Sequence, residues 1–260
     1  MTNDFLWRNL TSLPYFRGLL RAIEARLLEG IDLPAPRLDV GCGDGHFGEV
    51  AFVRATDVGI DPALDSLREA KKRSAYRWLL AAQGARLPLA SGAMASVVSN
   101  SVLEHIPDVR SVLKEIGRVL RPGGKFAFTV PNPGYLAHLA LPAWLSTIRL
   151  DSLGERYRRW FRAMTRVENL AWEDEWREWL AQAGLDLVAT LRYFSPAALR
   201  VLEGGHYFGI PSLVARKLTG RWILAPTRWN LGVTARLVRR YYDSPAAGDG
   251  TFNLHLARRR

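Results

Sequence analysis

The 260-residue chain contains one cysteine, Cys42, so an intramolecular disulfide is excluded. A single thiolate also cannot build a cysteine-based zinc centre, and the sequence predicts no metal site. Low cysteine usage is typical of proteins in reducing compartments. We therefore expect a cytoplasmic protein.

Long apolar runs are also missing. The most apolar stretch, residues 135–145, is too short to cross a bilayer and is interrupted by His138 and Pro142. The N-terminal residues lack the basic start and continuous apolar stretch of a signal peptide. Because 48% of the residues are hydrophobic and 10% are aromatic, a wholly disordered chain is excluded as well. We expect a globular protein without a transmembrane helix.

Acidic residues are fewer than basic ones: the chain has 36 Lys and Arg but only 25 Asp and Glu, for a net charge of +11. The excess is uneven: residues 1–130 carry 17 basic and 14 acidic residues, whereas residues 131–260 carry 19 and 11. A basic half indicates an anionic partner such as a nucleic acid, a membrane surface or an acidic substrate. The competing interpretation is a solvated arginine-rich surface.

Strand-like and helix-like segments alternate over about 100 residues in the first half of the chain. The predicted strands are 37–42, 57–61, 75–81, 95–99 and 125–130. Such alternation is typical of βαβ units, and right-handed crossovers then place helices on both faces of a parallel, doubly wound sheet. Ligands of such sheets bind at the carboxyl ends of the strands.

We interpret residues 1–260 as one domain with additions. The predicted parts are an N-terminal helical segment (1–36), a cofactor-binding core (37–133), an insertion or lid (134–171), and a basic, aromatic insertion (195–249) between the last two strands. Residues 131–170 are expected to be irregular, and a helix is predicted at 172–183. The last two strands are predicted at 185–194 and 251–258.

The segment that carries the chemistry is a glycine-rich turn, D-V-G-C-G-D-G, at 39–45. Glycine permits positive φ and close approach of a ligand to the backbone. Asp61 follows the second strand, where a carboxylate can accept the hydroxyls of a ribose. Gly43, Gly45 and Gly48 also fit the dinucleotide fingerprint G-x-G-x-x-G, so a nicotinamide oxidoreductase is a rival reading. The strand runs directly into Gly41, which favours a turn that starts earlier than that fingerprint requires.

Five motifs occur in order: LDVGCGDG (38–45), GIDP (59–62), ARLPL (85–89), SNSVLEHI (99–106) and LRPGGKFAFTVPNP (120–133). Together they resemble class I S-adenosylmethionine-dependent methyltransferases of the type 11 group, which is related to ubiquinone and menaquinone methyltransferases. The resemblance is good over residues 35–133. It implies a Rossmann-like sheet of seven strands, mostly parallel with an antiparallel last strand. It also implies S-adenosylmethionine as cofactor and S-adenosylhomocysteine as product.

The resemblance assigns cofactor-binding roles to seven residues. They are Asp39, Gly41, Gly43, Asp61, Gln83, Asn100 and Ser101. Asp39, Gly41 and Gly43 are expected at the methionine end of the cofactor, and Asp61 at the ribose. Gln83 stands where the family usually has an acidic residue for the adenine amine, and an uncharged acceptor makes a weaker hydrogen bond.

Asn100 and Ser101 follow the fourth strand and are expected beside the reactive sulfonium. An oxygen nucleophile needs a base to take its proton, and His105 is the candidate catalytic residue. The competing interpretation of His105 is a structural, hydrogen-bonded histidine. Other candidate bases are His138, His206 and Tyr135.

The acceptor is suggested by residues 204–242, which contain seven Lys and Arg and no acidic residue, interleaved with aromatic and aliphatic residues. This composition is typical of interfacial membrane segments. It favours a small hydrophobic or lipid-linked acceptor and a peripheral membrane contact. A solvated substrate lid is the competing interpretation. A nucleic-acid partner ranks below both. The alternative functions are an RNA-directed methyltransferase and a non-catalytic cofactor-binding scaffold.

Overall fold

A computed structural model describes residues 4–208, 210–244 and 248–260. The chain forms two compact units. The sheet unit comprises Leu28–Pro133, Thr165–Leu191 and Phe252–Arg260, and the helical unit comprises Met1–Leu27, Gly134–Met164 and Arg192–Thr251. The organisation as one domain with insertions stays a prediction.

The sheet unit is built on seven strands in the order β3-β2-β1-β4-β5-β7-β6. The strands are β1 (Arg37–Val40), β2 (Thr56–Asp61), β3 (Tyr76–Ala81), β4 (Met94–Asn100), β5 (Leu120–Pro131), β6 (Leu185–Tyr193) and β7 (Phe252–Arg259). Strands β1 to β5 pair in parallel with their neighbours, and β7 pairs antiparallel with β5. Strand β6 is antiparallel to β7, since Arg260 donates to the Gly184 carbonyl while Thr190 lies beside His255. The predicted seven-stranded Rossmann-like fold with an antiparallel last strand is confirmed.

The described residues also form α-helices. In chain order they are α1 (Phe5–Leu10), α2 (Tyr15–Glu29), α3 (His46–Ala51), α4 (Leu64–Ala70), α5 (Val109–Val119), α6 (Gly134–Ala137), α7 (Ala140–Thr147), α8 (Asp151–Thr165), α9 (Glu173–Gln182), α10 (Pro196–Phe208), α11 (Ile210–Thr219) and α12 (Arg228–Tyr242). The sheet unit holds α3, α4, α5 and α9, and the others lie wholly or mainly in the helical unit. Right-handed crossovers place α3 and α4 on one face of the sheet and α5 and α9 on the other.

Helix α5 illustrates how the sequence specifies the core of the sheet unit. Its apolar residues recur at helical spacing and are buried: they are Val109, Val112, Leu113, Ile116 and Val119. Asp108 caps the helix, since its side chain accepts a hydrogen bond from the Ser111 N–H at 3.1 Å. The buried stripe packs into one cluster with the aromatic residues Phe126, Phe128 and Trp176.

The prediction that residues 131–170 are irregular is wrong, because most of this segment forms α6, α7 and α8. The arginines of α8 interrupt the apolar pattern along the sequence, which hides the helical spacing of its buried residues Gly154 and Phe161. The N-terminal helical segment is likewise divided into α1 and α2, with Pro14 immediately before the second helix. Within the described residues, no helix has both the length and the apolar character needed to cross a membrane.

Candidate cofactor-binding site

The turn that follows β1 contains three glycines in the left-handed region of backbone space. Gly41, Gly43 and Gly45 have φ values of +82°, +53° and +76°, which glycine adopts readily. The backbone N–H groups of Gly41 and Cys42 both donate to the Ile60 carbonyl, at 2.8 and 3.0 Å. The predicted glycine turn is therefore present at the carboxyl end of β1, and it is fixed to the adjacent strand β2.

Gly41 and Gly43 have different surroundings. A Cβ atom on Gly41 would lie 2.5 Å from Cγ1 of Val102, so packing leaves no room for a side chain there. A Cβ atom on Gly43 would have no heavy atom within 4 Å. The backbone at Gly43 borders open space, and the missing side chain lets a ligand approach the peptide closely. This cradle fits the nucleoside-type cofactor that the turn predicts.

Asp61, the last residue of β2, connects two turns through its carboxylate. Oδ2 accepts a hydrogen bond from the Gly43 N–H at 3.0 Å, and Oδ1 accepts one from the Ala63 N–H at 2.9 Å. Each carboxylate oxygen has two lone-pair sites, so the half-buried side chain retains acceptor capacity for hydroxyl groups. The predicted ribose-binding aspartate lies at the glycine turn and also holds that turn in place.

Asp39 lies in β1 and is buried, with 3% of the residue exposed. Its Oδ2 accepts a 2.6 Å hydrogen bond from the phenol of Tyr76, the first residue of β3. Burial, and then the nearby Asp39 carboxylate, hold the pKa of Tyr76 well above its usual range. The phenol therefore remains protonated and donates to Asp39. Tyr76 was not predicted from the sequence, because nothing local to β3 indicates this contact.

The end of β4 is held by Thr129 of β5. Oγ1 of Thr129 donates to Oδ1 of Asn100 at 3.0 Å and accepts from the Ser101 N–H at 2.9 Å. Ser101 has a φ of +50°, which is uncommon for a residue other than glycine, and such strained residues cluster at functional sites. The next residue, Val102, packs against Gly41. The structure thus brings the segment after β4 to the glycine turn.

The remaining predicted site residues, Gln83 and His105, have exposed side chains. Gln83 follows β3, whereas His105 ends a short 3₁₀ turn after β4. Nδ1 of His105 lies 2.8 Å from the Arg166 carbonyl oxygen. Because a carbonyl only accepts, Nδ1 carries a proton. Nε2 lies 3.8 Å from Oε1 of Glu104. When the ring is neutral, the contact with the Arg166 carbonyl leaves the lone pair on Nε2.

Carboxylates dominate the local electrostatics of the turn. The pKa of the Cys42 thiol is raised by burial first, and then by the charges of Asp39, Asp61 and Asp44. The thiol therefore stays protonated and is not a nucleophile. A negatively charged turn suits a ligand with a cationic end better than the pyrophosphate of a dinucleotide. The charges at the turn therefore argue against a dinucleotide as the ligand.

The other candidate bases belong to the helical unit. His138 is exposed, whereas Tyr135 is buried against Phe161. Nδ1 of His206 lies 2.8 Å from the Leu202 carbonyl oxygen, and burial lowers the pKa of His206. In the part of the chain that the structure describes, no cluster of His, Cys, Asp and Glu side chains has the makings of a metal site.

Comparison with known proteins decides the family. A family described as "Methyltransferase domain" matches residues 38–128. The malonyl-[acyl-carrier protein] O-methyltransferase of Pseudescherichia vulneris is 32% identical over 174 residues, which cover 66% of this chain and 64% of that protein. The ubiquinone biosynthesis O-methyltransferase of Rhizobium rhizogenes is 33% identical over 183 residues, which cover 66% of this chain and 67% of that protein. The chain belongs to the class I S-adenosylmethionine-dependent methyltransferases.

Solved structures of the family share the fold. A Thermotoga maritima methyltransferase has a TM-score of 0.58 at 13% identity, covering 94% of this chain and 91% of that chain. Phosphoethanolamine N-methyltransferase 2 of Haemonchus contortus, in complex with S-adenosyl-L-methionine, has a TM-score of 0.57 at 17% identity, covering 95% and 53%. The predictions of the family, the enzyme class and the cofactor are confirmed. The chain spans about half the length of most of the curated relatives, from 42% to 67%.

Proposed function

We propose that the protein transfers the methyl group of S-adenosylmethionine to an oxygen atom of a small hydrophobic or lipid-linked acceptor. The observation that carries this proposal is the glycine turn, which borders open space at Gly43 and lies beside the carboxylates of Asp39 and Asp61. Two relatives named as O-methyltransferases support oxygen as the accepting atom. The cofactor, when bound, supplies a methyl group activated by a sulfonium.

The chain's own residues bind and orient the cofactor. Asp39 would accept from the ammonium group at the methionine end, and Asp61 from the ribose hydroxyls. Gln83 would accept from the adenine amine. Asn100 and Ser101, fixed by Thr129, would lie beside the reactive end of the cofactor and help to align the reacting groups.

His105 acts as the general base for the acceptor hydroxyl. Its Nδ1 donates to the Arg166 carbonyl, which leaves Nε2 to take the proton. The adjacent Glu104 carboxylate, 3.8 Å from Nε2, stabilises the protonated ring that results. The base therefore needs no change of tautomer during the reaction.

The acceptor class is supported by the surface of the helical unit. On α12, the side chains of Trp229, Val233 and Leu237 are 91%, 71% and 62% exposed. Their spacing of four residues places them in one row along the helix. The opposite face of α12 packs within the helical unit, through buried residues such as Leu231 and Val238. An apolar row on a basic helix is typical of a segment that lies in a membrane interface.

Arginines complete this row. Arg236 and Arg240 are exposed on α12, and residues 204–242 contain seven basic residues and no acidic one. Basic residues near an anionic bilayer contribute about 1 kcal/mol each. We propose that residues 204–242 make a peripheral contact with an anionic membrane, where a lipid-linked acceptor resides, on the cytoplasmic side.

Methyl labelling tests the acceptor class. The protein is incubated with methyl-labelled S-adenosylmethionine and an extract of its own source, and the label is measured in organic, aqueous, protein and RNA fractions. We expect label in the organic fraction. Label in the aqueous fraction would replace the lipid acceptor by a polar one, and label in RNA would support an RNA-directed enzyme. Cofactor binding without release of S-adenosylhomocysteine would support the scaffold alternative.

Flotation with vesicles tests the membrane contact. Binding of the full chain to phosphatidylcholine vesicles with and without phosphatidylserine is compared with a variant carrying Trp229→Ser, Val233→Ser and Leu237→Ser. We expect binding only to the anionic vesicles and a loss of at least tenfold in the variant. Trp78→Ser is the control, because Trp78 is an exposed tryptophan of the sheet unit, at 70%. Equal binding of all proteins, or none, would contradict the contact.

Calorimetry tests the cofactor site. Asp61→Ala removes the acceptor of the ribose hydroxyls and the acceptor that fixes the Gly43 N–H. Hydrogen bonds to charged groups are worth about 1.5–3 kcal/mol, so we expect the Kd of S-adenosylhomocysteine to rise by about 10- to 100-fold. An unchanged Kd would contradict the role of Asp61.

A further inference from the structure

The ring of Tyr76 fills space that two glycines leave open. A Cβ atom on Gly59 in β2 would lie 2.7 Å from Cδ1 of Tyr76, and one on Gly48 in α3 would overlap the phenol oxygen. Neither glycine has a positive φ. Their backbone conformations therefore do not require glycine. The ring of Tyr76 does, because it leaves no room for a Cβ atom at either position.

The hydroxyl group of the same ring contacts the carboxyl group of Asp39. The phenol donates to Oδ2 of Asp39 at 2.6 Å, a short distance typical of a hydrogen bond to a carboxylate. Asp39 is 3% exposed, so bulk water cannot readily replace this donor. A donated hydrogen bond favours the ionised form of a carboxylate and fixes its orientation.

We propose that Tyr76 is a positioning residue for the methionine end of the cofactor. It acts through Asp39, whose carboxyl group it orients to accept from the cofactor's ammonium group, and it does not itself touch the cofactor. This inference rests on the proposed function, in which Asp39 binds that end. It predicts that Tyr76 contributes to the binding of ligands with the ammonium group and not to the binding of a bare nucleoside.

A purely structural tyrosine would behave differently. If Tyr76 served only to fill the space beside Gly48 and Gly59, a change there would weaken every ligand of the turn to a similar extent. A pair of ligands that share adenosine and differ at the methionine end separates the two roles. S-adenosylhomocysteine carries the ammonium group, and 5′-methylthioadenosine lacks it.

Isothermal titration of the full chain and of Tyr76→Phe with both ligands tests the inference. We expect the Kd of S-adenosylhomocysteine to rise about tenfold and that of 5′-methylthioadenosine to change less than twofold. Equal weakening of both ligands, or no change in either, would overturn the inference. If the unchanged protein bound S-adenosylhomocysteine no better than 5′-methylthioadenosine, the role of Asp39 in the proposed function would fail first, and the inference with it.

Two further variants keep the experiment decisive. Tyr193→Phe is the matched control, because Tyr193 is also buried and donates to a carboxylate, Oε1 of Glu24, at 2.9 Å in the helical unit. We expect it to lower the melting temperature without changing the ratio of the two dissociation constants. Gly48→Ala retains the phenol but crowds its oxygen, so we expect the same selective loss as in Tyr76→Phe. A normal ratio in Gly48→Ala would count against the inference.

Discussion

The two units carry the same number of basic residues but different numbers of acidic residues. Each has 18 Lys and Arg, but the sheet unit has 18 Asp and Glu whereas the helical unit has 7. The entire net charge of +11 therefore belongs to the helical unit. Most of the exposed large apolar side chains among the described residues are also there. The neutral unit contains the cofactor motifs, and the basic unit carries the exposed apolar side chains on which the proposed membrane contact depends.

The largest expected effect tests whether the base belongs to the sheet unit. We expect His105→Gln to lower kcat by about 10²- to 10⁴-fold, the usual contribution of a general base, with an unchanged Kd for S-adenosylhomocysteine. Formation of S-adenosylhomocysteine with the acceptor fraction gives kcat. If His138→Gln or His206→Gln lost the activity and His105→Gln kept it, the base would belong to the helical unit.

The next effect compares the buried His255 of the sheet unit with the half-buried His206 of the helical unit. Burial, with a smaller contribution from the Arg177 charge, lowers the pKa of His255 to about 3. The unfolded chain protonates near pH 6.5, so below that pH the unfolded state binds more protons and the free energy of unfolding falls. This contribution is fully present above pH 6.5 and is lost progressively towards pH 3.

Urea unfolding at pH 7 and pH 4.5 measures this loss. At about 1.4 kcal/mol per pH unit, we expect His255→Gln to lose about 2–3 kcal/mol less stability between these pH values than the unchanged protein. His206 in the helical unit is less buried, and its pKa is shifted in the same direction. We therefore expect a smaller difference for His206→Gln. Parallel pH dependence in His255→Gln and the unchanged protein would show that another group governs acid unfolding.

A third prediction separates ligand contact from backbone conformation. Gly43 and Gly184 both have positive φ, +53° and +75°, and both have open space where a Cβ atom would stand. Alanine at either position should cost about 1 kcal/mol of stability. Only Gly43→Ala should also weaken S-adenosylhomocysteine, by about tenfold, because its methyl group enters the proposed cradle. Equal affinities in the two variants, measured by calorimetry, would place the ligand away from Gly43.

The sequence predicted the sheet unit better than the helical unit for a physical reason. Buried strands such as β4, and glycine turns such as 39–45, are encoded by short contiguous patterns, which the motifs preserve. Strand β5 begins at Leu120, five residues earlier than expected at Lys125, because Leu120 already pairs with Met94 of β4. Such a pairing joins distant residues and leaves no local signal. The helices of the insertions were missed because exposed apolar residues and arginines obscure the periodicity of a helix that is only partly buried.

The candidate site was likewise predicted only where the signal in the sequence is local. The glycine turn and Asp61 were predicted from local spacing, and the structure places them in contact. Tyr76 was not predicted, because its partner Asp39 is 37 positions away. The available signal was indirect: Gly48 and Gly59 interrupt a helix and a strand where no turn requires glycine. Two glycines inside regular elements indicate a large side chain arriving from elsewhere, but not which one.

The smallest expected effect tests the surface of the helical unit. Trp229 is 91% exposed, so Trp229→Ser should change the free energy of unfolding by no more than about 0.5 kcal/mol, as exposed substitutions usually do. Urea unfolding without vesicles measures this, and Trp78→Ser in the sheet unit is the matched exposed control. A loss above about 1 kcal/mol confined to Trp229→Ser would mean that this tryptophan is covered in the folded protein. The row on α12 would then be part of the core and unavailable to a bilayer, and the basic charge around it would have to serve another partner.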